Sequence, residues 1–285
     1  MERRGYGGQL EGRPRPQRNV IPPEPRTPAQ YWDTYKPYRG AGEQPAPEVG
    51  RFEWTQYPGH GPGAEVLGRP RRALDLGPAE GREAVFLARQ GVATTGVDLS
   101  AAQVDRASRW WKDTPGLEFV HAEAGDYLTS NTAPFDAVYS VWGAAWFTDP
   151  ELLFPLVAQN LTPGGIFAFS QAEPSPGAYG PQPMHGKWLE GRESELTVLR
   201  WQYTPQTWAD LLKRHGFTDI DAHILPPPDG EDLGTLLVRA QGPAGPGRRQ
   251  SEVGTGRNRG LRGITDREVD ADVGRRVSRY RVQGM

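Results

Sequence analysis

Apolar and polar positions repeat with two different periods along the middle of the chain. Short runs of apolar or alternating residues, which are typical of β-strands, occupy residues 72–76, 92–97, 117–121, 135–140 and 166–170. Segments with apolar residues at helical spacing lie between them, beginning at Arg82, after Ser100 and after Asp149. These repeated strand–helix–strand units predict an α/β fold, in which a mostly parallel sheet carries helices on both faces.

Capping signals mark the ends of the predicted helices. Ser100 and Gln103 form a capping box, and Gly91 follows the first helix as a C-terminal stop. Thr204 and Pro205 begin a last helix, and two strand patterns follow it before the end of the apolar region. In the helix after Asp149, four residues are expected to point inward: Leu152, Leu153, Leu156 and Val157.

The strand and helix pattern predicts one core domain, residues 69–240, with additions on both sides. Residues 1–30 and 241–285 are rich in Gly, Pro and Arg, and we expect them to be disordered tails because they cannot bury enough apolar surface. Residues 31–68 are rich in aromatic side chains and are interpreted as an N-terminal cap. Residues 171–203 are interpreted as a lid insertion. Both segments are expected to cover the carboxyl edge of the sheet, where open α/β folds bind ligands.

Charge separates the ends of the chain from its middle. The formal net charge of the 285 residues is -2, to which the two predicted tails contribute +3 and +5, so the middle holds -10. An acidic middle argues against a folded nucleic-acid groove, because such a groove neutralises phosphates with Lys and Arg. The Arg-rich tails are expected to be solvated, and binding to nucleic acid or to acidic partners is the alternative.

The composition also excludes several kinds of site. The chain contains no cysteine, which excludes a disulfide framework, a thiolate metal site and a cysteine nucleophile. No apolar run approaches the roughly 20 residues needed to cross a bilayer, and the first residues lack the pattern of a signal peptide. We therefore expect a cytoplasmic protein without membrane contacts.

The segment LeuAspLeuGlyProAlaGluGly, residues 74–81, is the first candidate for chemistry. A strand that runs into a turn of small residues and then a helix brings backbone N–H groups close to a ligand. Glycine stands only at positions 77 and 81 of this turn, so the dinucleotide pattern G-x-G-x-x-G and the P-loop are both absent. Such a loop is by itself a weak signal.

Asp98 is the second candidate, because it ends the next strand 23 positions after Asp75. An acid at this place can accept hydrogen bonds from both hydroxyls of a ribose. The alternative is a helix-capping aspartate, but Ser100 already occupies the capping position. We therefore favour the ribose role.

With these features in place, residues 69–170 resemble the class I S-adenosylmethionine-dependent methyltransferase family. The resemblance rests on five motifs in order: LeuAspLeuGly with Gly81, ThrGlyValAspLeuSer (95–100), HisAlaGluAla (121–124), PheAspAlaValTyrSer (135–140) and LeuThrProGlyGly (161–165). It implies a Rossmann-like, doubly wound sheet of seven strands with an antiparallel last strand. It also implies S-adenosylmethionine as the cofactor.

By position, the resemblance assigns the methionine end of the cofactor to Asp75 and the loop, the ribose to Asp98, and the adenine to Glu123 and Ala124. The complete set of implied cofactor-binding residues is Asp75, Gly77, Pro78, Ala79, Gly81, Asp98, Leu99, Glu123, Ala124 and Ser140. Trp142 or Trp146 could face the sulfonium as a cation–π partner, and core packing or a substrate wall is the alternative for each. No metal site is expected.

One residue of the loop departs from the family pattern. The family has glycine at the position of Ala79, which is preceded here by Pro78. If this position needs a left-handed backbone, alanine costs on the order of 1–2 kcal/mol. The departure leaves two readings, weaker cofactor binding or a fold that has lost catalysis.

The acceptor of the methyl group is less well specified by the sequence. His185 is the candidate general base, ahead of Tyr179, Glu173 and His60, because a histidine titrates near neutral pH. Tyr and Trp residues in the predicted cap and lid favour a small, partly apolar acceptor that offers an O, N or C atom. The alternatives are a peptide or protein methyltransferase and a non-catalytic binding protein with a degenerate cofactor loop.

Overall fold

The computed structural model describes residues 27–34, 45–184 and 198–244. Its strands are β1 (Arg72–Leu76), β2 (Ala93–Asp98), β3 (Leu117–His121), β4 (Phe135–Val141), β5 (Leu161–Ala172), β6 (Gly180–Met184), β7 (Val198–Gln202), β8 (Thr218–Leu225) and β9 (Thr235–Gln241). Its α-helices are α1 (Pro28–Asp33), α2 (Arg82–Arg89), α3 (Ala101–Trp110), α4 (Ala124–Ser130), α5 (Ala144–Phe147), α6 (Pro150–Asn160) and α7 (Pro205–Arg214). A short 3₁₀ helix spans Ala64–Leu67.

Seven strands form one twisted sheet in the order β3-β2-β1-β4-β5-β9-β8. β1 to β5 pair in parallel, whereas β9 runs antiparallel to both of its neighbours, β5 and β8. This topology confirms the predicted Rossmann-like sheet with an antiparallel last strand. The strand order reverses at β1 and β4, so their carboxyl ends flank the crevice where such sheets bind ligands.

Two apolar clusters cover the two faces of the sheet. On one face, Leu153 and Phe154 of α6 and Trp208 of α7 are fully buried against the sheet. On the other face, Phe52 and Trp54 pack with α2 and the central strands. The segment 45–68 therefore contributes Phe52, Trp54 and Leu67 to the core on this face.

The predicted helix starts are present as capping hydrogen bonds. The Ser100 side chain accepts the backbone N–H of Gln103, and the Thr204 side chain accepts that of Thr207. The predicted inward face of α6 is wrong at Leu152, which is 66% exposed. The fully buried Phe154 explains the error, since two residues are about 200° apart on a helix and lie on opposite sides.

The segments outside the sheet approach its carboxyl edge from two sides. α1 packs on the start of α3 and spans the boundary that the sequence placed after residue 30. β6 and β7 form an antiparallel pair, and β7 packs on α5. None of the described helices is long and apolar enough to cross a membrane. His185, Trp188 and almost all of both predicted tails lie outside the described residues.

Candidate functional site

The loop after β1 turns sharply because three of its residues have a positive φ. The angles are 80° at Gly77, 46° at Ala79 and 74° at Gly81. Alanine at position 79 therefore has the left-handed conformation that costs about 1–2 kcal/mol in a residue with a Cβ. Space also requires glycine at position 77, since a Cβ there would lie 2.5 Å from the Ala144 backbone nitrogen. The loops after β1 and β4 thus touch through their backbones.

The carboxylate of Asp98 joins the β1 loop to the start of α3. Its Oδ2 accepts the Ala79 N–H at 3.0 Å, and its Oδ1 accepts the Ser100 N–H at 2.8 Å. Burial raises the pKa of Asp98, and the two amide hydrogen bonds oppose the shift. A carboxylate has about four lone-pair sites, so Asp98 retains capacity to accept hydrogen bonds from a ligand.

Asp75, Glu83 and Tyr139 form a buried group beside this loop. Burial raises the pKa of Asp75 well above its ordinary range; the Glu83 carboxylate adds to the shift and the Tyr139 hydroxyl opposes it. That hydroxyl interacts with Asp75 without hydrogen-bond geometry, and it has no other partner in the described ranges. Burial also raises the pKa of Glu83 to about 7, although its side chain keeps some solvent contact. A cationic ligand would stabilise the ionised form of both carboxyls.

Glu80, which was not predicted as a functional residue, anchors the loop to α3. Its Oε1 lies 2.7 Å from Nη1 of Arg106, and its carbonyl accepts the indole N–H of Trp111 at 2.8 Å. The adjacent Pro78 packs over Gly96 of β2, where a Cβ would lie 3.0 Å from the proline ring. The sequence did contain a signal for this anchoring role, because Glu80 is a charged residue inside a loop of small residues.

Leu99, Glu123 and Ala124 lie beyond the carboxyl ends of β2 and β3. The Leu99 carbonyl is 3.1 Å from Nε2 of His121, which links the two strand ends. The Oε2 of Glu123 accepts the Asp126 N–H at 3.0 Å and caps α4, whose first residue is Ala124. Oε1 of Glu123 takes no part in the cap. The structure thus brings the residues assigned to adenine together beside Asp98.

Ser140 uses its hydroxyl to hold the loops after β1 and β4 together. The Oγ donates to the Leu76 carbonyl at 2.7 Å and accepts the Ala145 N–H at 3.1 Å. Because the side chain is fully buried, only the backbone of this segment is left to face a ligand. We call the loops described so far, which follow β1, β2 and β3, the glycine-loop edge.

A row of aromatic rings crosses the carboxyl end of β4. Successive ring centroids are 4.6 Å apart between Trp32 and Phe147, 5.2 Å between Phe147 and Trp146, and 5.5 Å between Trp146 and Trp142. Trp142 has φ 50° and donates its indole N–H to the Trp54 carbonyl at 3.2 Å. A positive φ at a bulky residue is strained, and such strain concentrates at functional sites. We call this row, with the β7 residues that pack on it, the aromatic edge.

Arg200 of β7 lies over the aromatic edge, with its guanidinium carbon 5.4 Å from the Trp146 ring centroid. Its Nε and the Trp146 Nε1 are buried N–H donors that have no hydrogen-bond partner within the described residues. β7 is held beside β5 by the Gln171 side chain, whose Nε2 donates to the Trp201 carbonyl at 3.0 Å. None of these contacts was predicted, because they join residues that are distant in the sequence.

Asp33 fastens α1 to the N-terminus of α3. Its Oδ1 accepts the Ser100 hydroxyl at 2.6 Å and the Ala102 N–H at 3.2 Å. Asp33 was also not predicted as a functional residue. The signal was present in the chain, because Thr27 caps this helix and Pro28 is its first residue.

The candidate bases are scattered. His60 is held by a backbone carbonyl at 2.8 Å, Glu173 by a backbone N–H at 2.8 Å, and Tyr179 is 47% exposed. His185 lies outside the described residues, so its role stays a prediction. Within the described ranges, no group of three or more His, Asp or Glu could hold a metal ion.

Comparison with known proteins places the chain in a family by its sequence. The model of a family described as a methyltransferase domain matches residues 61–222, which is more than half of the chain. A crystal structure of 1,6-didemethyltoxoflavin-N1-methyltransferase from Burkholderia thailandensis, with bound S-adenosylhomocysteine, is similar with a TM-score of 0.49 and 24% identity. The similarity covers 63% of this chain and 74% of that one.

Two curated relatives are similar over shorter regions. The fatty-acid O-methyltransferase of Mycolicibacterium smegmatis is 32% identical over 129 residues, which are 45% of this chain and 46% of the relative. The tRNA 5-carboxymethoxyuridine methyltransferase of Escherichia coli K12 is 29% identical over 108 residues, which are 37% of this chain and 41% of the relative. The aligned regions span less than half the length of either relative. The match to the family model and the strand order agree with the predicted resemblance, and the chain belongs to the class I methyltransferase domain family.

Proposed function

We propose that this protein uses S-adenosylmethionine to methylate an oxygen, nitrogen or carbon atom of a small molecule. The observation that carries the proposal is the position of Asp98, which ends β2 and accepts the Ala79 N–H from the loop after β1. A ribose held by this carboxylate would lie beside the loop that receives the rest of the cofactor.

The charge of the glycine-loop edge fits this cofactor. Asp75 and Asp98 are buried carboxyls, and burial raises the pKa of each. An ammonium and a sulfonium would stabilise their ionised forms, whereas the pyrophosphate of a dinucleotide would be repelled. When bound, the cofactor supplies an electrophilic methyl group.

Each predicted site residue has a proposed task. Asp75 and the backbone of residues 77–81 hold the methionine end, and Asp98 holds the ribose. Leu99, Glu123 and Ala124 flank the adenine. The backbone that follows Ser140 lines the reactive side, where the protein holds the acceptor close and in line.

The covers of the carboxyl edge support a small acceptor. α1 packs on α3 and β7 packs on α5, so both segments lie at this edge, and such covers favour a small acceptor over a peptide. The relatives include a fatty-acid methyltransferase and a tRNA methyltransferase. We favour the small molecule, because the middle of the chain is acidic and a tRNA requires basic contacts. His185 as a general base and a cytoplasmic location remain predictions.

A non-catalytic protein with a degenerate loop is the second candidate. The observation behind it is Ala79, which stands where the family has glycine. However, Ala79 adopts a φ of 46° and directs its N–H to Asp98, so the loop keeps the backbone turn that cofactor binding needs. This geometry favours the enzyme over the degenerate form.

Calorimetric titration with S-adenosylmethionine and S-adenosylhomocysteine tests the proposal. We expect micromolar binding of both, and a loss of affinity of at least about tenfold in Asp98→Ala, since a buried acceptor of hydrogen bonds is removed. Asp105→Ala is the matched control, because Asp105 is an exposed carboxylate of α3 that pairs with Arg109 on the same helix. Absence of binding at millimolar ligand would favour the non-catalytic protein.

A further inference from the structure

Two N–H donors at the aromatic edge are buried and have no acceptor in the part of the chain that the structure describes. They are Nε of Arg200 and Nε1 of Trp146, and the Arg200 guanidinium lies over the Trp146 ring. Trp146 is buried, with only 7% of its surface exposed to solvent. An unpaired buried donor costs free energy, and a ligand that accepts hydrogen bonds would remove this cost at both atoms.

Arg200 also brings a positive charge without a counter-ion. Among the described residues it forms no ion pair, whereas Arg106, Arg214 and Arg239 are each within reach of a carboxylate. Because a guanidinium is always charged, an anion is the ligand that complements it best. We propose that the acceptor of the methyl group is a carboxylate, held by Arg200 and Trp146. This inference rests on the proposed function, since it names the substrate class of the same site.

The number of donors and the single positive charge favour a carboxylate over a phosphate. A carboxylate has one negative charge and two oxygens, which match one guanidinium and one additional N–H donor. A phosphate monoester has a charge near −2 and three terminal oxygens, which one guanidinium and one N–H donor neither neutralise nor fully hydrogen-bond. A neutral amide would leave the charge of Arg200 unpaired.

The protein also positions Arg200 and provides a wall for the rest of the acceptor. Gln171, which is fully buried, holds β7 through the Trp201 carbonyl and so fixes the strand that carries Arg200. The ring of Trp146 orients the planar guanidinium, and Trp142 continues the apolar wall toward β4. An acid with an aromatic or aliphatic body fits this combination.

A carboxylate acceptor removes the need for a general base. It is already ionised at neutral pH, and the described residues offer no histidine at the aromatic edge. In the transfer, a carboxylate oxygen forms a bond to the methyl carbon while the carbon–sulfur bond breaks, giving a methyl ester and S-adenosylhomocysteine with no proton released. Arg200 and Trp146 orient the carboxylate for this step.

The test compares acids with their neutral amides. Octanoate, phenylacetate and indole-3-acetate, and the primary amide of each, are titrated calorimetrically into protein saturated with S-adenosylhomocysteine. We expect at least one acid to bind about tenfold or more tightly than its amide. Arg200→Gln should abolish this preference, Trp146→Phe should weaken binding of the acid while keeping the ring, and Arg200→Lys should retain part of the preference.

The controls separate failure of this inference from failure of the proposed function. Binding of S-adenosylhomocysteine is measured first in every variant; its absence in the unmodified protein would overturn the proposed function, and its presence in Arg200→Gln shows that the variant is folded. Arg109→Gln removes one exposed arginine of α3 and should keep the preference. Equal binding of acid and amide, binding of neither at about 10 mM, or an unchanged preference in Arg200→Gln would overturn the carboxylate assignment.

Discussion

The glycine-loop edge and the aromatic edge lie side by side on one sheet but are built differently. At the glycine-loop edge, backbone groups and caps from short consecutive segments meet each other, as in the two N–H groups that Asp98 accepts. At the aromatic edge, side chains arrive from α1, α5, β4 and β7, and two N–H donors have no partner among the described residues. The polar groups of the first edge are largely satisfied within the protein, whereas the second edge keeps donors that a ligand would satisfy.

Gly77→Ala should have the largest effect on stability, because it places a Cβ in the backbone contact between the loops after β1 and β4. The new Cβ would lie 2.5 Å from the Ala144 nitrogen at a φ of 80°, and strain and overpacking together should lower the free energy of unfolding by about 3 kcal/mol. Gly91→Ala is the matched control, since Gly91 has φ 86° and no atom within 4 Å of an added Cβ. Equal losses in urea denaturation of the two variants would refute a steric role for Gly77.

The buried acids of the glycine-loop edge should make stability and cofactor binding respond to pH in opposite directions. Glu83 holds its proton to about pH 7 in the folded protein but loses it near its ordinary pKa when unfolded. Its contribution to stability is therefore largest at pH 4 and is lost as the pH rises to about 7, with a slope of at most about 1.4 kcal/mol per pH unit. Binding of a cationic cofactor should strengthen over the same range.

Denaturation and calorimetry between pH 5 and pH 8 measure these two trends. Glu83→Gln should flatten the fall in stability, because glutamine does not titrate. Asp75 contributes with the same sign, since burial raises its pKa as well. A stability that rises from pH 5 to pH 7 would show that desolvation of these acids is not the dominant effect.

Asp33→Ala tests whether α1 closes over the two edges. Loss of the hydrogen bonds to Ser100 and Ala102 should cost about 1 kcal/mol and release α1. Hydrogen exchange should then become faster in residues 28–33, and S-adenosylhomocysteine should dissociate about fivefold faster. Asp33→Asn keeps one acceptor oxygen, so its exchange and dissociation rates should lie between those of the unmodified protein and of Asp33→Ala. Unchanged exchange in Asp33→Ala would remove α1 from the site.

Ala79→Gly should have the smallest effect, and it should be favourable. Glycine removes a strain of about 1–2 kcal/mol but adds about 0.4–1 kcal/mol of unfolded-state entropy, so the net gain in stability is about 0–1.6 kcal/mol. Ala158→Gly in α6 is the contrast, because a helical alanine should lose about 1 kcal/mol when replaced. Thermal unfolding of both variants measures the difference, and destabilisation by Ala79→Gly would contradict strain at this position.

Local sequence patterns predicted much of the sheet and the glycine-loop edge. Apolar runs, capping residues such as Ser100 and Thr204, and small residues at turns act over a few positions, so they can be recognised without knowledge of the fold. The wrong prediction of an inward-facing Leu152 arose from long-range packing. The side of an apolar helix that becomes buried depends on the elements that pack against it, and the local sequence does not specify them.

By itself, the sequence determined the order of the seven strands of the main sheet and of helices α2, α3, α6 and α7, the turn at Gly77 and the acid at the end of β2. Only the tertiary structure decided that Arg200 stacks on Trp146, that Asp33 reaches Ser100, and that the Ser140 hydroxyl serves the contact between loops. The physical reason is the distance along the chain between the interacting residues. Backbone conformation and capping are set by neighbours in the chain, whereas burial, ion pairing and unpaired donors depend on segments that meet only after the sheet has formed.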